Sequence, residues 1–454
     1  MILRKNIRLA VLIFIAINLF TCEPQRPKLH LSNLKAIHAT SSEREKFKKD
    51  LIETTIFKNL ASDLTAENEA QWQGAFWGME LAFYRSDSIL IILKNAFNNF
   101  FERSPSFQRA FIEAIYGLYS TEFAQEMKRV AEATDHPKLF AMAIHYLCRI
   151  DENEKPVYLK LLQQKFSDWQ IHPILYLLSL DLQTNAIEKF KNRPALFDIL
   201  THPFEKGKVI IYCLQRNDRD YPGLTIIKKP DGKFMRSADG AIFSIPHLAR
   251  SASNLPGYIT NGNTPQGIFS IQGSEVSKNV FIGATPNLQL VMPFEVAPGK
   301  YFHQPNMHDT TWSKKYYENL LPERWRNYQP MYEAFYAGKA ERTEIIAHGT
   351  TIDPEFYRGL PFYPNTPSLG CLTAKEIWSG IDGTCLVSDQ LALMKAFFSV
   401  GVEDGYFVII EIDDKKQPVA LDEIIMELLQ AEDKEKQVMS LLIPSLRAME
   451  SVFR

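Results

Sequence analysis

Cysteine is scarce in this chain, with five in 454 residues, at positions 22, 148, 213, 371 and 385. So few exclude a disulfide scaffold. None stands in the paired C-x-x-C spacing of a structural zinc site, and no metal is expected. Charge of one sign is lacking too. The formal net charge is -2 and the isoelectric point about 6.6, which leaves no basic footprint for nucleic acid. Glycine is sparse between about 40 and 200, as helices require. The apolar run Leu9 to Phe20, broken by Asn18, is too short to span a bilayer comfortably. What is present is an ordinary globular balance, 46% hydrophobic and 23% charged, in a chain long enough for two or three domains.

The chain opens with Arg4, Lys5 and Arg8, then the apolar run, then Thr21 and Cys22, then Glu23-Pro24-Gln25-Arg26-Pro27. A positive start followed by a short apolar stretch reads as a secretory signal over 1–22. The run stops at a cysteine and opens into a polar tether, 23–40. That resembles a bacterial lipoprotein signal, in which Cys22 is the lipidation site. The expectation is an exported protein of the periplasm or cell envelope, held to the membrane by lipid. A plain signal, or an uncleaved anchor, with an incidental cysteine is the alternative.

Residues 41–204 read as all-α. After Pro105, Pro137 and Pro173, which stand 32 and 36 residues apart, apolar residues recur on one helical face. Each proline suits a first helical turn, where its missing N–H costs little. The period fits stacked helix pairs, with an irregular bundle as the alternative. Either module has surface for a protein partner. From 205 the pattern turns to strands: 208–214, 224–227, 233–235, 241–245, 267–271, 288–292 and 405–412. An aromatic-rich insertion, 293–343, with helices expected at 313–321 and 330–339, is either a lid or padding for the sheet. The tail, 416–454, reads as helices. The fold class is therefore α+β and multidomain: an all-α domain that suits helical repeats, then a mostly β domain over 205–415 with a helical insertion, then C-terminal helices.

Three short elements carry chemistry: Thr264-Pro265-Gln266-Gly267-Ile268-Phe269, then Ile345-Ile346-Ala347-His348-Gly349, then Pro367-Ser368-Leu369-Gly370-Cys371-Leu372. Cys371 follows a glycine, so backbone can approach a substrate carbonyl and N–H groups around Gly370 and Cys371 can face an oxyanion. His348 ends an apolar strand, where a scaffold fixes a general base within reach of solvent. Gly349 permits a tight exit. Ser368 can bond within the turn or to substrate. A buried thiol, or a disulfide to Cys385, is the inert alternative for Cys371.

Together and in this order, these elements resemble the catalytic domain of the L,D-transpeptidases of the YkuD type. The resemblance covers about 205–415. It implies Cys371 as nucleophile, His348 as base, and Gly370, Ser368 and Gly349 as support, with no cofactor. It implies acyl transfer on peptidoglycan stem peptides, with release of terminal D-alanine and capture of the thioester by an amine. Water in place of the amine would make the chain a hydrolase. A non-catalytic envelope scaffold is the reading from another class. The sequence departs from the family at Leu369 and Thr373. The segment 349–370, of 22 residues, is longer than usual and brings Tyr357, Phe362 and Tyr363. These, with Thr373, are candidates for substrate binding.

Overall fold

The computed structural model describes residues 30–434. The signal run, Cys22, the start of the tether and the last part of the C-terminal helices lie outside the described residues. No helix among the described residues is long and apolar enough to cross a membrane.

The N-terminal region is helical, as the periodicity predicts. Helices Pro105–Leu118, Pro137–Ile150 and Pro173–Gln183 each begin on the expected proline. Helix Glu69–Ala82 packs on the first of these, the first on the second, and the second on the third. Helices Ala124–Ala133 and Lys155–Lys165 fill the intervals. Arg149 donates to Tyr116 O at 2.7 Å, and Lys165 to Glu132 O at 2.8 Å. Each bond reaches back 33 residues, one repeat. The stacked-pair reading of the prolines thus matches the packing.

The rest is built on strands β1 Val209–Arg216, β2 Gly223–Lys228, β3 Ser244–His247, β4 Gly267–Glu275, β5 Asn287–Val291, β6 Ile346–His348, β7 Leu372–Thr373, β8 Glu376–Trp378, β9 Cys385–Ser388 and β10 Asp404–Asp413. Eight form one sheet in the order β3-β2-β1-β10-β4-β5-β6-β7, and β8 pairs with β9 apart from it. Residues 233–235 make only a bridge, Lys228 to Phe234.

Side chains alternate across this sheet with period two. Val209, Ile211, Cys213, Phe269, Ile271, Phe407 and Ile409 face one core, shared with Phe111, Ile144 and Leu178 of the helices and with Leu393 and Phe397 of helix Asp389–Ser399. Ile210, Tyr212, Leu214, Tyr406, Val408 and Ile410 face a second core. The insertion 293–343 builds that second core, with Tyr301, Tyr317, Trp325 and Tyr332 fully buried against the sheet. It is a layer of the fold. Because both faces are covered, β1 and β10 are apolar almost throughout.

The reading of 23–40 as a tether needs correction over its described part. Ala36 N–H donates to Gly383 O at 2.8 Å and Cys385 N–H to Leu34 O at 3.0 Å. Leu34, Ala36 and Ala39 are buried with Trp378 and Cys385. These residues are apolar enough to add an edge to the β8–β9 hairpin, and they do so.

Candidate active site

His348 ends β6, and β7 runs parallel beside it, with Ala347 opposite Leu372 and His348 opposite Thr373. Cys371 stands directly before β7. It is two residues from Thr373, the register partner of His348. On its other side β7 is held by Leu248, whose N–H and C=O exchange bonds of 2.9 Å with Thr373.

The turn into Cys371 is tightly tied. Ser368 Oγ donates to Cys371 O at 2.8 Å and accepts from Gly370 N–H at 3.0 Å. Ala252 N–H donates to Ser368 O at 2.8 Å. Thr264, the first residue of the first motif, donates to Gly370 O at 2.9 Å. Gly370 has a φ of 117°, in the region that favours glycine. The expectation that Gly370 N–H faces an oxyanion does not hold, because Ser368 already occupies it. The N–H of Cys371 has no partner among the described residues.

Arg342 was not legible as a site residue. Nothing in its spacing marks it. Its buried guanidinium donates to Asn263 O at 2.7 Å, to Gly262 O at 2.6 Å and to Gly257 O. It lies so close to Gly370 that a Cβ there would collide with it. Burial lowers Arg342 to about 10, and the neighbouring acidic groups, Cys371 among them, oppose that.

The thiol itself is turned toward the start of β6 and donates to Glu344 O at 3.4 Å. No hydrogen bond joins it to the His348 ring. Cys371 is half-buried and free, and so is the buried Cys385, so no disulfide links them. Burial of its surroundings pushes the Cys371 thiol up to about 11, with the Ile346 backbone and the Arg342 charge pulling the other way.

His348 is only 5% exposed. Its Nδ1 bonds to Gly349 O. A carbonyl only accepts, so Nδ1 carries the hydrogen and Nε2 keeps a lone pair. Burial lowers this imidazole to about 4. His247, at the end of β3, is fully buried, lowered to about 3 by burial and then by the nearby His348, and bonded through Nδ1 to Thr225 Oγ1 at 3.0 Å. Gly349 is backed by Glu376, so close that a Cβ would meet the carboxyl group. Glu376 accepts from Thr285 Oγ1 at 2.6 Å and from Ser388 Oγ at 2.5 Å, and burial raises it to about 7.

Of the four candidates for substrate binding, three are buried. Tyr357 and Phe362 are buried with Leu248, and Tyr357 donates to Leu81 O at 2.7 Å, joining the segment to the helices. Thr373 is buried and donates to Thr366 O at 2.6 Å. Tyr363 is exposed and donates to Glu355 at 3.0 Å. Burial makes Tyr357, Phe362 and Thr373 part of the packing that anchors the segment 349–370. A cavity of about 660 Å³ lies elsewhere, between the helices and the sheet, and includes neither Cys371 nor His348.

Comparison with family models, curated proteins and solved structures returns no match to this chain.

Proposed function

We propose that the chain is a cysteine acyltransferase of the L,D-transpeptidase type, acting on peptidoglycan stem peptides in the cell envelope. One observation carries this reading. Three sequence elements separated by up to about a hundred residues meet at one turn, Thr264 on Gly370 and the His348 strand beside the Cys371 strand. A folding requirement alone does not call for a thiol and an imidazole of fixed tautomer on adjacent strands.

In the reaction, the thiol leaves Glu344 O, turns toward His348 and gives its proton to Nε2. Such bonds commonly tighten only when substrate is bound. The sulfur attacks the carbonyl of the third stem residue, and Cys371 N–H receives the developing oxyanion. The C–N bond to terminal D-alanine breaks, and His348 returns the proton to the leaving amine. An amine from a second stem then attacks the thioester, giving a cross-link and the free thiol. If water attacks, the product is a trimmed stem. No cofactor enters these steps.

The test is intact mass after incubation with a purified tetrapeptide-stem muropeptide. Wild type is expected to gain an adduct lacking one D-alanine, and Cys371→Ala none. Cys371→Ser and His348→Ala should each abolish the adduct, and the double variant should lose little more, because the two act as a unit. An equal adduct on Cys371→Ala overturns the nucleophile. The fate of the adduct, dimer or trimmed monomer, separates transferase from hydrolase.

A further inference from the structure

The 660 Å³ cavity has the size of a small-molecule site and is walled by charged and polar side chains from both regions of the chain. Glu411 of β10 is among its lining residues. Arg219 donates to Glu411 through Nε at 3.2 Å and Nη2 at 2.8 Å, and Lys189 pairs with the other carboxylate oxygen. Two donors on residues that line it have no partner among the described residues. One is Arg219 Nη1 and the other the Tyr328 hydroxyl, each on a residue 4% exposed. A buried guanidinium N–H and a buried phenol left without acceptors are costly unless something completes them. Beside them Glu333 takes Gln266 N–H on Oε2 at 2.8 Å, and its carboxyl also lines the cavity. Residues lining the cavity thus carry two unpartnered donors and a carboxyl.

We propose that this cavity binds a free α-amino acid, its carboxylate received by Arg219 Nη1 and the Tyr328 hydroxyl and its ammonium by Glu333. A single carboxylate suits the site because only one guanidinium nitrogen is free. A phosphate dianion would be repelled by Glu411 and Glu333, which flank those donors. An apolar ligand would leave them unpaired. Burial and the nearby Glu411 raise Glu333 to about 7, and an ammonium beside it reverses that penalty. The site is independent of the chemistry at Cys371, although Thr264 lines the cavity and also holds Gly370.

The test is isothermal titration calorimetry of the whole chain with each common α-amino acid and with D-alanine. At least one should bind saturably at one site. The matching amide, which lacks the carboxylate, and the matching hydroxy acid, which lacks the ammonium, should each bind at least about tenfold more weakly. Tyr328→Phe removes only a hydroxyl without a partner among the described residues, so the chain should fold, with binding weakened about 3- to 10-fold. Cys371→Ala should bind as wild type does, which separates this site from the acyl-transfer reading. The proposal is overturned if amide or hydroxy acid binds as tightly as the amino acid, or if Tyr328→Phe binds unchanged. It is equally overturned if no amino acid gives saturable heat up to about 20 mM, or if chitobiose binds in their place.

Discussion

At Cys371 and His348 the protein keeps both groups neutral. Burial raises the thiol to about 11 and lowers the imidazole to about 4, so near neutral pH the pair is a thiol and a free base, and a thiolate–imidazolium pair does not form at rest. The thiolate is the form that reacts with alkylating agents. Below the thiol's pKa its fraction grows about tenfold per pH unit. Carboxamidomethylation of Cys371 by iodoacetamide, followed by peptide mass spectrometry, should therefore accelerate about tenfold per unit from pH 7 toward 10. It should level off only near 11. A plateau already at pH 7–8 would mean a preformed ion pair. The residue types here were readable in sequence, because a cysteine after glycine and a histidine before glycine are local patterns. The guanidinium of Arg342 was not, since its role comes from three carbonyls of the loop 257–263 brought to it by folding.

Among the elements, the insertion 293–343 bears most on how the sheet is held. Its aromatic richness was compatible with a lid or a packing layer, and only contacts distinguish the two. Tyr317 Oη accepts from Ile268 N–H at 2.7 Å and donates to Met331 O at 2.8 Å, tying the insertion to β4. Tyr317→Phe leaves that buried N–H without its acceptor and should cost about 1–3 kcal/mol of stability. The measurement is the shift in urea midpoint at unchanged slope. An unchanged midpoint would mean that the insertion is only loosely applied to the sheet. The strand boundaries were read to within a residue or two at β1, β2, β5 and β10, where apolar runs are long. They were poorer at β3, expected at 241–245 and found at Ser244–His247, and at β4, expected to end at 271 and running to Glu275, because pairing partners, more than propensity, set those ends.

Across the whole molecule, the helical region braces the site. Gly117 approaches the backbone of Ala252 and Ser253 so closely that an added Cβ would sit 3.1 Å from Ala252 O. Lys138 donates to Thr260 at 2.8 Å, Asn261 to Glu113 at 3.2 Å, and Tyr258 to Asp181 at 2.8 Å. The loop they hold supplies Ala252 N–H to Ser368 and the carbonyls to Arg342. Helices and sheet also share one apolar core. Differential scanning calorimetry should therefore give a single unfolding transition for both regions. Two separated transitions would show that the shared core does not couple them. Sequence alone determined the class of fold, the three proline-led helices, the principal strands and the two residues on which the proposed chemistry rests, because periodicity, turn chemistry and short motifs act over a few neighbouring residues. Tertiary structure decided that the insertion is a layer, that residues 34–39 join a hairpin, that Tyr357 and Phe362 are core, and that Arg342 and Glu376 flank the site. Each of these depends on contacts between segments far apart in the chain, which local pattern does not encode.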